Sequence, residues 1–359
     1  MKHMNDLGIV AIGRNEGERL RRCLASLLGN GEGLKAVYVD SGSTDGSVEL
    51  ARSLGVEVVE LDLARPFSAA RARNAGFERL KQVAPGIRYV LFVDGDCEVV
   101  DGWIERAKAE FERRPKAGVV CGRRREMYPE HSIYNRLADL EWDTPIGEAV
   151  ACGGDAMMRA EAFEVVGGFD PTAAAGEEPE LCQRLRRQGW SVWRIDAEMT
   201  RHDLGMTRFR QWWRRQYRSG YNGLDIATRF PGEDKLFVAA LIRARVWGIG
   251  WPLVVVVAGL IGWLMAGAVG ALVGGGLAIL LMPLQVLRLA AKIRKRVDGP
   301  RTALAYGTLT MVAKWGDLAG QVGYILDRRQ GRMARLIEYK RVDESREAPP
   351  LVARAEARP

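Results

Sequence analysis

From Val246 to Leu287 the chain carries no charged side chain, and this feature limits the folds open to it more than any other. Divided into Val246–Ala266 and Gly267–Leu287, the stretch gives two segments of about 20 residues. Each is long enough, as a helix, to cross roughly 30 Å of hydrocarbon. No polar loop separates them, so a tight hairpin turn is expected near Gly267 to Gly270. Arg243 and Arg245 flank one end, and Lys292, Arg294, Lys295 and Arg296 flank the other. Basic flanks stay on the cytoplasmic side, which requires an even number of crossings. The alternative is a soluble hairpin buried in a core, and the lack of any charged face favours insertion.

The next apolar segment, "TALAYGTLTMVAKWGDLAGQVGYIL" at 302–326, carries Lys314 and Asp317 in its middle. Charges at a bilayer centre are costly, so an interfacial or re-entrant helix is expected there. The formal net charge is +8, and the basic residues cluster around the apolar region. That places them at a membrane surface rather than on nucleic acid, for which no module signature is present. The five cysteines, Cys23, Cys97, Cys121, Cys152 and Cys182, are odd in number and form no Cys-x-x-Cys pair. This argues against a disulfide framework or zinc site and for a reducing compartment. The first residues show no cleavable signal pattern, so the first domain is expected to begin in the cytoplasm. The shift in composition after "FPGEDK" sets its end. The expected organisation is a cytoplasmic domain over 1–235 with an interfacial helix at about 206–220. A transmembrane hairpin over 236–300, a membrane-associated helical region over 301–343 and a disordered tail over 344–359 follow it.

Within 1–235 strands alternate with helices. "GIVAIG", "KAVYVD", "VEVVEL" and "YVLFVD" read as buried strands, and "EGERLRRCLASLLG", "VELARSLG" and "SAARARNAGFERLKQV" as the helices between them. Continuous apolar strands alternating with helices predict an α/β fold, with a Rossmann-like, mostly parallel sheet covered by helices on both faces. In such sheets ligands bind at the carboxyl ends of the strands, where Asp40, Asp94 and Asp96 fall. After Asp96 the pattern is less regular: "AGVVCGRRREM" and "WSVWRI" are strands, and "EPELCQRLRRQG" is a helix.

Residues i and i+2 of a strand point the same way, so Asp94 and Asp96 are placed to face one cation, with Gly95 leaving room for a bulky ligand. Mg²⁺ and similar ions take one or two carboxylates and complete their shell with phosphate oxygens and water. An Asp-x-Asp at a strand end therefore suits a nucleoside diphosphate, although such pairs also serve as turn or cap residues. Asp40 ends the second strand before a Gly/Ser/Thr turn containing Asp45, suited to a base or ribose or to capping the next helix. Arg71, Arg73 and Asn74 suit a pyrophosphate or a base edge, or else form a solvated helix face.

With these residues in view the chain resembles glycosyltransferase family 2, the inverting nucleotide-sugar enzymes of the GT-A fold. The resemblance covers roughly Leu7 to Gly220 and rests on "IVAIGRNEGERLRRCLASLL", "VDSGSTDGS", "ARNAG", "VDGDC", "GGDAMMRAEAFEVVGGFD" and "GEEPELCQRLRRQGW", all in the family's order. It implies nucleotide binding by Asp40 and Asp45, with Asn15 and Glu16 beside the base. It also implies a divalent cation, Mg²⁺ or Mn²⁺, held on the diphosphate by Asp94 and Asp96. The family's acidic pair before a helix reads here as Glu177-Glu178, with Glu178 where an Asp is usual. Glu178 is the expected general base and Glu177 the reserve. A carboxylate at a helix N-terminus has a lowered pKa unless burial or a nearby negative charge raises it.

"ACGGDAMM" resembles the acceptor-side loop, implying acceptor contacts from Gly154 and Asp155. His202 falls where members place a metal-shell histidine. In "MTRFRQWWRRQYRSGY", Trp212, Arg214, Arg215 and Arg218 are expected at the cytoplasmic leaflet, contacting a lipid-pyrophosphate-linked or other glycan acceptor. Processive members carry Gln-x-x-Arg-Trp in this area. Gln211 to Arg215 reads Gln-Trp-Trp-Arg-Arg, which favours single-sugar transfer. The expectation is thus a membrane-attached, multi-pass, metal-dependent glycosyltransferase whose catalytic domain faces the cytoplasm, with no nucleic-acid partner. The rivals are a processive polysaccharide synthase, a catalytically silent scaffold on the same fold, and a nucleotidyltransferase, which would leave Glu178 without a task.

Overall fold

The computed structural model describes residues 6–29, 34–65, 68–173, 176–233 and 235–331. The expected tail at 344–359 and the end of the 301–343 region lie outside them. The chain opens with β1 (Leu7–Gly13), α1 (Glu18–Leu28), β2 (Lys35–Asp40), α2 (Ser47–Ser53), β3 (Glu57–Glu60), α3 (Ala69–Val83) and β4 (Tyr89–Asp94). The expected strands and helices of this half all form. Leu7, Ile9, Val10 and Ala11 of β1 are buried, as a strand covered on both faces requires. α1 buries Leu20, Cys23, Leu24 and Leu27, the spacing of one helical face.

The irregular half contains β5 (Cys97–Val99), α4 (Trp103–Arg113), β6 (Ala117–Glu126), α5 (Ile133–Glu141), β7 (Gly147–Glu148), β8 (Ala156–Arg159), α6 (Ala160–Val165), α7 (Glu177–Arg187) and β9 (Ser191–His202). The sheet order is β3-β2-β1-β4-β8-β6-β9-β5, with β7 on β9. β1, β2, β3 and β4 are parallel, as are β6 and β9, while β8 runs antiparallel between β4 and β6. β9 continues past the apolar "WSVWRI" through "DAEMTRH", and its far end pairs with the short β5, Cys97 opposite His202. The β6–β9 pairing carries register shifts at Ala117/Val119, Cys121/Arg123 and Arg123/Arg124, irregularities of the kind that twist and bend a strand pair.

α8 (Phe209–Arg229), α9 (Lys235–Arg245), α10 (Trp251–Ile293) and α11 (Gly299–Arg329) complete the chain. A π-helical turn, Val246–Gly250, joins α9 to α10. Within α10 the backbone leaves helical geometry at Ala266 (φ −149°) and Gly267 (φ 59°, ψ −145°), so α10 is two helices folded back at the expected turn. A positive φ of this kind favours glycine. Their backbones nearly touch: a Cβ on Gly262 would lie 2.0 Å from the Gly270 carbonyl oxygen, the close approach typical of small residues in membrane helix pairs. Trp251 Nε1 donates to Ala278 O across the pair at 3.0 Å. The outer surface is apolar, with Leu264 85% and Met265 82% exposed. The helical segment Phe237–Arg296 is long and apolar enough to cross a membrane, and a continuous exposed apolar surface of this kind favours association with a bilayer.

α8 extends beyond the expected 206–220, and its inner face is covered. Trp212, Gln216, Gly220 and Gly223 are buried, and α11 packs along them. A Cβ on Gly220 would sit 1.8 Å from Asp317 O, so the two backbones are in contact. The segment carrying Lys314 and Asp317 is therefore applied to the α/β domain through α8, which explains how it tolerates two charges.

Candidate active site

The first two strand ends are stitched together. Asn15, held in the left-handed region at φ 55°, gives its backbone N–H to Ser43 Oγ and accepts from Thr44 N, both at 2.8 Å. The buried Asp40 accepts from Gly42 N and Ser43 N at 2.8 Å and from the Tyr38 hydroxyl at 3.1 Å. Burial, followed by the Asp40 charge, pushes the Tyr38 pKa up, so this phenol stays a donor. Asp45 accepts from Ser47 N and Ser47 Oγ where α2 begins, and Glu16 pairs with Arg19 at 2.8 Å.

The centre of the site is Arg73, whose side chain is 2% exposed. Its Nη1 lies 2.8 Å from Glu177 Oε1 and 3.2 Å from Glu178 Oε1, and its Nη2 lies 2.8 Å from Asp94 Oδ1. Arg124 bridges Asp94 at 3.3 Å and Asp155 at 2.7 Å. Asp155, fully buried, accepts from Asp94 N at 3.1 Å and Thr200 Oγ1 at 2.6 Å. Gly154 passes directly over this cluster: a Cβ there would lie 2.7 Å from both Arg73 Nη2 and Asp94 Oδ2. Thus α3, β4, β6, the residue just before β8, and α7 each place a charged group at one point.

Glu177 and Glu178 occupy the first turn of α7, where the helix dipole favours the ionised form. Burial, with the Glu177 charge second, nevertheless raises Glu178 to about 7, against the opposing pull of Arg73. Burial alone would lower the pKa of Arg73, but Asp94, Glu178 and Glu177 raise it, so it remains a fixed cation. A carboxylate poised near neutrality beside a permanent cation suits general-base chemistry.

Asp94 and Asp96 do not share one ligand group. β4 ends at Asp94, and a turn through Gly95 and Asp96 leads into β5, so strand alternation does not carry across. Asp96, 4% exposed, lies 3.3 Å from His202 Nε2. Among the described residues the groups that come within ligand reach are Asp96–Cys97–His202 and Asp94–Cys97–Asp155. The residues fit a hard divalent cation. His202 Nδ1 is buried with no hydrogen-bond partner among the described residues. Burial, then Arg124, lowers His202 to about 4, leaving a neutral imidazole beside carboxylate oxygens. Burial raises the Cys97 thiol well above its ordinary value, which makes it a poor ligand at neutral pH.

A cavity of about 570 Å³ joins these groups. Arg73, Asp94, Gly154, Glu177, Glu178 and His202 line one side, and Trp212, Arg215 and Arg218 of α8 with Lys314 and Asp317 of α11 line the other. Arg214 is not among its lining residues. Asp155 lies beneath Asp94 rather than in the cavity wall, and Asn74 bonds Phe169 through both amide groups, at 2.7 and 2.9 Å. Arg71 bonds the carbonyls of Asp62 and Arg65. Sequence reasoning missed Arg124. Its signal is strand alternation in "RRR": Arg123 and Arg125 turn to Asp139 while Arg124 turns inward. The α11 wall was missed as well, since its two charges read as an obstacle to a membrane span.

A mixed, mostly parallel sheet with acids at its strand ends and an acidic pair opening a late helix defines a GT-A-type glycosyltransferase. Residues 89–312 match the model of glycosyl transferase family group 2, and residues 9–167 match glycosyl transferase family 2. The chain belongs to the family 2 glycosyltransferases. It is 27% identical over 191 residues to the succinoglycan biosynthesis protein ExoA of Rhizobium meliloti, covering 50% of this chain and 55% of that one. To a pre-mycofactocin glycosyltransferase of Mycobacterium tuberculosis it is 27% identical over 255 residues, covering 67% and 52%. The chain thus spans about half the length of the curated relatives it matches. The fold is shared with the mannosyltransferase PcManGT of Pyrobaculum calidifontis, solved with GDP-Man and Mn²⁺ (TM-score 0.54, 16% identity, 90% and 88% of the two chains). It is also shared with GalNAc-T7 solved with UDP, GalNAc and Mn²⁺ (TM-score 0.50, 15% identity, 70% and 52%).

Proposed function

We propose that the chain transfers one sugar, with inversion, from a nucleoside-diphosphate sugar to a hydroxyl of a lipid-linked glycan acceptor at the cytoplasmic face of a membrane. The observation that carries this reading is Glu178, raised to about 7, in the same cavity wall as Asp94 and His202. In this reading Glu178 takes the acceptor hydroxyl's proton as its oxygen attacks the anomeric carbon, and the nucleoside diphosphate departs from the opposite side. Arg73 holds Glu177, Glu178 and Asp94 at fixed separations, so that base and donor site keep their geometry through the reaction.

Asp96 and His202 are the residues that would hold a divalent cation, whose charge would offset that developing on the leaving diphosphate. The Mn²⁺ and nucleotides of the two fold neighbours support this choice of cofactor and donor. In this reading Asp40, Asp45, Asn15 and Glu16 contact the nucleotide, and Trp212, Arg215 and Arg218, which line the cavity, contact the acceptor. The α10 hairpin crosses the bilayer twice with both basic ends at the cytoplasmic face, which keeps the catalytic domain on that side.

The test is equilibrium binding of a panel of UDP- and GDP-sugars to the full chain in detergent, with and without Mn²⁺. At least one sugar nucleotide binds in a Mn²⁺-dependent manner, and Asp96→Ala abolishes the dependence. Failure of every donor to bind wild type, or undiminished Mn²⁺-dependent binding by Asp96→Ala, would overturn the reading.

A further inference from the structure

A second cavity of about 420 Å³ lies beside the catalytic one. Ser219, Ala240 and Asp317 line both, so the two share a rim. The walls of the second are largely apolar, including Pro145, Val150, Ala151, Gly223, Phe237 and Leu241. Phe237 and Leu241 belong to α9, which runs directly into the exposed apolar hairpin. On the catalytic side of the rim stand Arg218 and Lys314, the latter 3.1 Å from Asp317. Gln216 lines the same side and is 7% exposed, and its amide nitrogen has no hydrogen-bond partner among the described residues. A buried amide donor left unpaired is costly, and a ligand oxygen relieves the cost.

We propose that the two cavities form one acceptor site for a lipid with a short, phosphate-bearing head. The phosphate sits beside Arg218, Lys314 and the Gln216 amide, and the hydrocarbon chain begins in the apolar slot between α8, α9 and α11. The proposal rests on the glycosyl-transfer reading and narrows its acceptor. The slot holds roughly fourteen water-sized volumes, the bulk of the first dozen or so methylene-sized groups of a chain. Because the rim is shared, the chain starts next to the catalytic cavity. With the slot and the catalytic cavity sharing Ser219, Ala240 and Asp317, a head that reaches from the slot to Glu178 spans only the catalytic cavity. The head is therefore short.

The experiment uses the full chain in detergent micelles and a farnesyl monophosphate carrying a terminal diazirine, with crosslinks mapped by mass spectrometry. Labelling is expected on Phe237, Leu241 or Val150. Unlabelled farnesyl monophosphate should compete best, and farnesol or inorganic phosphate alone poorly, since each satisfies one half of the site. Gly223→Leu places a side chain in the slot, where a Cβ meets only Leu241 and Phe237 at 3.5 and 3.9 Å. It should weaken farnesyl monophosphate binding roughly a hundredfold, the loss of several methylene contacts, with sugar-nucleotide binding unchanged. Should that variant fail to fold, Lys314→Gln should cut competition by farnesyl monophosphate to the level of farnesol. Labels confined to the outer face of α10, equal competition by farnesol, or wild-type binding in Gly223→Leu would each overturn the proposal. An unlabelled slot with donor binding intact sinks this inference alone, whereas a labelled slot with no donor binding sinks the glycosyl-transfer reading instead.

Discussion

The two walls of the 570 Å³ cavity are built on opposite plans. On the strand side charge is crowded and locked, with Arg73 touching Asp94, Glu177 and Glu178, and Arg124 touching Asp94 and Asp155. On the helix side the pairs are simple and partly exposed, Arg215 with Glu141 and Lys314 with Asp317. There the position comes from backbone packing, as where Gly220 meets Asp317. A wall of mutually buried charges holds one geometry and suits a fixed reaction centre. In the proposed reading, a wall positioned by helix packing is the one whose ligand preference can change without disturbing the strand side.

The contrast breaks most visibly at Arg73. Arg73→Ala leaves Glu177 and Glu178 buried without this cation and Asp94 paired with Arg124, and removing one partner of a buried ion pair costs about 3–5 kcal/mol. Chemical denaturation of the full chain in micelles measures this. A loss under about 1 kcal/mol would mean that the strand side is not held together by this cation. Arg73→Lys should fall between, because an ammonium reaches the three acids less well than a planar fork.

The next largest effect is on rate. Glu178→Gln should lower kcat by roughly 10²–10⁴, the range of one general base, with sugar-nucleotide binding retained. In wild type the activity should climb with pH through about 7 as Glu178 loses its proton, and this limb should vanish in the variant. Glu177 raises the Glu178 pKa, so Glu177→Gln should move the limb to lower pH. The folded protein holds the Glu178 proton more tightly than the unfolded chain does. Its contribution to stability is accordingly full below about 4.5 and lost as pH rises through about 7. A pH–rate profile unchanged in both variants would remove Glu178 from the chemistry.

The strand side was the more legible of the two, for a physical reason. Buried parallel strands announce themselves as apolar runs, and their carboxyl ends were marked by Asp40 and Asp94. The acidic opening of α7 was equally plain, as was the turn at Gly267 between two uncharged segments. What escaped were partnerships made across long sequence separations by short or irregular elements. β5 is three residues long, yet its pairing with the end of β9 sets Asp96 against His202. Asn74 bonds Phe169, 95 residues away, through both ends of its amide. Lys314 and Asp317 gain meaning only from α8 lying against them, which no local pattern reveals.

The smallest effect sharpens the comparison from the helix side. Arg215 pairs with Glu141 at 2.6 Å, but the side chains are 24% and 42% exposed, and such pairs contribute about 0–1 kcal/mol. Arg215→Gln should therefore shift unfolding free energy by no more than about 0.5 kcal/mol and leave sugar-nucleotide binding untouched. Acceptor KM should rise by roughly five- to tenfold with kcat nearly constant, because the lost contact is made equally in the ground and transition states. A stability loss as large as that of Arg73→Ala would mean that both walls are locked by charge, and the division between a fixed reaction centre and an adaptable acceptor wall would fall. A fall in kcat with unchanged KM would instead move Arg215 across the cavity and into the chemistry.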